Sequence, residues 1–98
     1  MRVIVLSLAR ADLREIRGYL AEHGEAPPKK LRESFEKFAH QVADMPNMYS
    51  RYEHNPNYRR AVIEYGYLVF YQVDEAAGDI KVYRVLHGKR GLLALLDV

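Results

Sequence analysis

The sequence predicts an α+β domain, βααβββ, in which an antiparallel sheet packs against an N-terminal helical hairpin. Two apolar stripes at helical spacing occupy the first half of the chain. Three strand-like runs separated by short turn-forming stretches occupy the second, and short turns require antiparallel neighbours. A β-branched run, Val3 to Leu6, precedes everything and reads as a first strand over residues 3–7.

Ser7 is a natural N-cap for a first helix over 8–23, in which Ala9, Leu13, Ile16 and Leu20 share one face. Gly24 is placed to end it in a left-handed conformation. The pair Pro27-Pro28 suits the first turn of a second helix over 28–45. Its stripe is Leu31, Phe35, Phe38, Val42 and Met45, and Pro46 stops it by removing a backbone donor. Residues 46–58 (PNMYSRYEHNPNY) read as a loop. Strands are expected over 59–65, 67–73 and 80–87, with turns at Gly66 and at Asp74–Asp79. A short apolar tail follows, and no internal repeat is evident.

Ninety-eight residues allow one domain and one core. The chain has no cysteine, which excludes disulfides, a thiolate nucleophile and a cysteine-built zinc site. Apolar runs are too short to span a bilayer, and the opening run is too brief for a signal-peptide core; a cytoplasmic address is expected, with no membrane and no small-molecule ligand. Eight basic and seven acidic residues precede Pro46, and seven and six follow. Such balance argues against nucleic-acid binding through bulk charge, so any anion must be met by local clustering.

The four histidines, His23, His40, His54 and His87, include no pair at helical ligand spacing, so neither a metal nor another cofactor is expected. Tyr49, Tyr52 and Tyr58 share the 46–58 segment and its end with Arg51, Arg59 and Arg60. Those rings either stack on unpaired bases or close the loop over the sheet edge, and closing the loop is the preferred reading. In strict period two, Arg84 shares a face with Ile80, Val82 and Leu86. A cation there needs a carboxylate such as Glu64, a hydrogen-bonded place at the sheet rim, or a ligand. Just beyond it, His87 with Lys89 and Arg90 could hold a phosphate and move a proton, or could simply keep a strand end soluble.

The stretches SLARADLREIRGYL, YLVFYQV and VYRVLHGKR, in that order within βααβββ, together resemble the RelE/ParE superfamily of bacterial type II toxins. The likeness runs from Ser7 to Arg90. It implies a cognate antitoxin and one of two activities: RelE-like members cut mRNA on the ribosome, whereas ParE-like members poison DNA gyrase. RelE-like members carry an arginine where this chain has Leu68, and a stacking tyrosine where it has Leu96. Of two basic places on the preceding strand, Arg59 fills one and Ala61 the other. The G-K-R element of RelE-like members is present as Gly88-Lys89-Arg90, but a last strand ending R-V-L-H-G-x-R is more typical of the ParE-like branch. The resemblance therefore favours a gyrase inhibitor without catalytic residues, with Arg59, Arg60, Arg84, His87, Lys89 and Arg90 in target binding. The alternative is a metal-independent, ribosome-dependent endoribonuclease using His87, Arg84, Lys89 and Arg90. Leu13, Ile16 and Tyr19 are the expected contributors to antitoxin binding.

Overall fold

A computed structural model describes residues 1–88. It runs β1 (Arg2–Val5), α1 (Ser7–Ala21), α2 (Ala26–Asp44), β2 (Arg59–Val62), a 3-10 turn (Glu64–Gly66), β3 (Tyr67–Asp74) and β4 (Asp79–His87). The tail, with Lys89, Arg90 and Leu96, lies outside the described residues. The four strands form one sheet in the order β1-β4-β3-β2. The pairs β2–β3 and β3–β4 are antiparallel, as short turns dictate.

The sheet is mixed, however, because β1 pairs parallel with β4 from Arg2↔Asp79 to Val5↔Val82. The helical hairpin separates β1 from the rest of the sheet, giving the chain enough length to return in the same direction. Ser7 is already inside α1 and Leu6 takes the N-cap place without a side-chain hydrogen bond. Gly24 does adopt a positive φ of 109°, beyond the end of α1. The two prolines occupy the first turn of α2. The second strand stops at Val62, and Tyr65 in the turn that follows has φ 63°.

The sheet divides the apolar side chains into two clusters. Tyr67, Val69, Tyr71, Ile80, Val82 and Val85 pack against Ala9, Ile16, Leu20, Leu31, Phe38 and Val42 of the helices. On the opposite face Leu68, Phe70 and Leu86 pack with Tyr52 of the loop. A bulge makes this sorting possible. Phe70 faces Arg84 while Tyr71 faces Val82, leaving Tyr83 as an extra residue on β4. One extra residue reverses the alternation, so Leu86 lies opposite the face of Ile80 and Val82, and Val85 joins the helix-side core.

Tyr71 is wholly buried and its hydroxyl donates to the Pro46 carbonyl at 3.1 Å. Burial pushes its phenol up to about 12, against the pull of the Arg59 guanidinium. A phenol whose pKa is raised by folding stabilises the fold below its unfolded value near 10, and that contribution is lost as pH rises toward 12. Tyr71→Phe should therefore cost about 1 kcal/mol at neutral pH through the lost hydrogen bond. It should also flatten the alkaline fall in urea stability between roughly pH 10 and 12, which denaturation at stepped pH measures directly.

Candidate target-binding face

The outer face of the sheet is half covered. Residues 51–58 fold across it through the Tyr52 N–H donating to the Tyr58 carbonyl and an Arg51↔Arg59 bridge. Tyr52 sets its edge on Phe70, with ring centroids 5.1 Å apart, and Tyr58 meets Tyr83 at 5.4 Å. Tyr49 goes the other way, packing on Phe38 and Tyr71 at the helix side. The three loop rings are thus used in packing, and none stands out as a platform for a base.

Leu68 is only 8% exposed and sits in the outer cluster. Beside it in register stands Val62, 57% exposed, and beside Phe70 stands Arg60. Arg59 and Ala61 face Tyr71 and Val69 instead, on the helix side. The outward residues of β2 are therefore Arg60 and Val62, not the Arg59 and Ala61 that sequence comparison singled out. A cavity of about 610 Å³ opens over this face, lined by Ser50, Arg51, Tyr52, Glu53, His54, Arg60, Leu68 and Gly88. Leu68 and the Tyr52 ring supply its apolar part, and Arg51, Glu53 and His54 of the loop with Arg60 of β2 supply its charged and polar part.

Arg84 belongs to another arrangement. Its partner is Asp12 of α1, not Glu64: Nε donates to Oδ2 at 2.8 Å and Nη2 to Oδ1 at 2.9 Å. The same Oδ2 accepts the Val85 N–H at 3.0 Å. The reason is the length of β1, whose pairing with β4 ends at Val82. Beyond that point the edge of β4 meets α1, and Asp12 satisfies it. The bidentate hydrogen bond to Asp12 raises the Arg84 pKa above its ordinary value. Asp12 is the residue that sequence reading missed, because the stripe it followed on this helix was the apolar one of Ala9, Leu13, Ile16 and Leu20. Its spacing was the available signal: three after Ala9 and four before Ile16 puts it within the buried stripe.

His87 pairs in register with Tyr67 and sets its ring edge-on to that phenol, centroids 5.3 Å apart. It lines a helix-side cavity with Asp12, Glu15, Ile16, Tyr19, Tyr67 and Val85. The sequence-predicted target set is therefore divided. Arg60 faces outward, Arg59 lies at the loop edge, Arg84 binds Asp12, and His87 faces the helices. Lys89 and Arg90 are outside the described residues.

The antitoxin set is divided as well: Ile16 is core, Leu13 is half-buried, and Tyr19 is 57% exposed. Leu13, Leu31 and Phe35 floor a groove of about 290 Å³ between the helices, rimmed by Arg10, Arg14, Arg17 and Arg32 with Glu36. Among the described residues no group of three or more histidine or acidic side chains is gathered as a metal site would require. No described helix is long and apolar enough to cross a membrane.

No curated protein matches the chain. Among solved structures, it is similar to a chain described as "Chromosomal ParDE TA system from P. aeruginosa". The TM-score is 0.61 at 18% identity, over 89% of this chain and 95% of that one, a likeness of fold. The family model described as "ParE toxin of type II toxin-antitoxin system, parDE" matches residues 3–92. The chain belongs to that ParE toxin family.

Proposed function

We propose that this ParE-family chain is a cytoplasmic toxin that inhibits DNA gyrase through its outer sheet face and is neutralised by a cognate antitoxin. One observation carries the choice of target. Where an RNA-cleaving relative would present an arginine, this face presents Leu68 packed between Tyr52, Phe70 and Leu86. A buried leucine can neither stabilise charge on a phosphorane nor exchange a proton. Arg84, the cation nearest the bulge, already holds a carboxylate. The face is suited to contact by a macromolecule, with exposed Val62 and Arg60 flanking an apolar centre.

The antitoxin fits the groove between the helices. Leu13 and Phe35 offer an apolar floor, and the arginine rim favours an amphipathic segment with acidic flanks. Tyr19 stands apart from that groove, on the side of α1 that borders Tyr67 and His87, and would serve a second contact.

Purified chain added to gyrase and relaxed plasmid is expected to block supercoiling and to accumulate linear, protein-linked DNA. Unchanged supercoiling at a large molar excess would remove the gyrase reading. Cleaved message in a translating extract would replace it with ribosome-dependent ribonuclease action.

A further inference from the structure

The edge of the sheet at β2 carries three arginines, Arg51 and Arg59 beside one cavity and Arg51 and Arg60 beside another. Arg51 and Arg59 are cross-strand partners in an isolated antiparallel bridge, and Arg60 follows directly. Like charges set opposite each other destabilise a pairing. Nor are these side chains loose. Arg51 Nη1 donates to the Pro56 carbonyl at 3.0 Å and Arg59 Nη1 to the Tyr49 carbonyl at 2.7 Å. The Arg60 guanidinium lies 5.9 Å from the centre of the Tyr52 ring. Each contact orients a guanidinium without neutralising it.

Elsewhere among the described residues three arginines pair with carboxylates, Arg2 with Asp79, Arg32 with Glu36 and Arg84 with Asp12, whereas Arg10, Arg14 and Arg17 of α1 form no ion pair. Among the described residues none of Arg51, Arg59 and Arg60 forms an ion pair. Two carboxylates stand nearby without forming an ion pair with these arginines: Glu53, 3.2 Å from His54, borders the outer cavity, and Glu75 borders the other with Arg51 and Arg59. That second cavity, about 400 Å³, adds the amides of Asn47, Asn57 and Gln72, and Arg51 borders both. Two cavities joined at an oriented arginine place donors along one edge, with one glutamate in each, Glu75 and Glu53, and, among the described residues, no exposed aromatic platform for reading bases.

The geometry points to a phosphodiester-backbone site here: Arg51, Arg59 and Arg60 hold the phosphates of a DNA duplex, independent of its sequence. The inference deepens the proposed function and rests on it for the choice of DNA, because gyrase works on a bound duplex and a protein on its surface meets that backbone. Contact is by charge and hydrogen bonding, so it weakens with salt.

The test is fluorescence anisotropy of a labelled DNA duplex of mixed sequence, titrated with the full chain at stepped salt. The wild type should bind with a log–log salt slope of roughly −3, from about 0.9 per phosphate contact. Arg51→Gln and Arg60→Gln should each reduce the slope by about 1, while Arg60→Lys keeps it. Arg14→Gln, on the rim of the helical groove, removes the same net charge and should leave the slope unchanged. Absence of duplex binding, equal losses for Arg14→Gln and Arg60→Gln, or tighter binding to a single-stranded RNA of the same length would overturn the site. Gyrase inhibition by a wild type that binds no duplex would remove this site and leave the proposed function standing. Duplex binding without gyrase inhibition would do the reverse.

Discussion

Asp12→Ala is expected to lower the stability of the fold by about 3–5 kcal/mol. Asp12 is 8% exposed and its carboxylate takes three hydrogen bonds, two from Arg84 and one from the Val85 backbone. Alanine removes all three at once, leaving a mostly buried guanidinium without its carboxylate and a strand N–H without its acceptor. For a domain of this size the thermal midpoint should fall by on the order of 15 °C. Asp12→Asn retains one acceptor oxygen and should lie between alanine and wild type. The double replacement Asp12→Leu with Arg84→Met leaves neither charge and should recover a large part of the loss, a coupling that a double-mutant cycle in urea isolates. A loss below about 1 kcal/mol for Asp12→Ala would mean that water satisfies this edge of β4 as well as the carboxylate does.

Phe70→Ala should cost a similar 3–5 kcal/mol, for a different reason. Phe70 is wholly buried although it faces away from the helices, because Tyr52 covers it from the loop. Removing the ring leaves a cavity between Tyr52, Leu68 and Leu86 and takes away the surface on which residues 51–58 are seated. Limited proteolysis should therefore cut that loop faster in Phe70→Ala than in wild type under conditions where both remain folded. Phe70→Leu, which keeps most of the volume, should cost under about 1.5 kcal/mol and leave the cleavage pattern unchanged. If alanine is tolerated with a loss near 1 kcal/mol and no new cleavage, the outer cluster is not a second core.

Both residues bear on function through position. Asp12 anchors the part of β4 that leads to Gly88, and Phe70 supports the loop that carries Arg51 and lies beside Arg60. Gyrase inhibition should fall in both variants more steeply than the folded fraction does, a comparison that separates geometry from stability.

The helical stripes were legible because burial against a flat surface writes itself into a period of 3.6: Ala9, Ile16 and Leu20, then Leu31, Phe38 and Val42, are the residues the core uses. The βααβββ order and the antiparallel pairing of the last three strands followed from short turns, which leave no other neighbour within reach. The motifs at Ser7–Leu20, Tyr67–Val73 and Val82–Arg90 carried the family likeness, and their order within one domain made the likeness specific.

Tertiary structure decided what depends on distant segments. The parallel seat of β1 is a matter of where the chain returns after the helical hairpin, and no local pattern records it. The bulge at Tyr83 reversed the faces of β4, so that strict alternation misplaced Leu86 and Val85. Arg84 read as an anomaly because its partner lies 72 positions away on a helix whose acids otherwise face water. The outward turn of Arg60 rather than Arg59 likewise rests on strand register, which the two-residue period alone cannot set. Residue types and their periods thus determined the elements, and the resemblance of three motifs pointed to the family. Which charges are paired inside the fold, and which of the described arginines stand without an ion pair at the β2 edge, depended on packing between segments far apart in the chain.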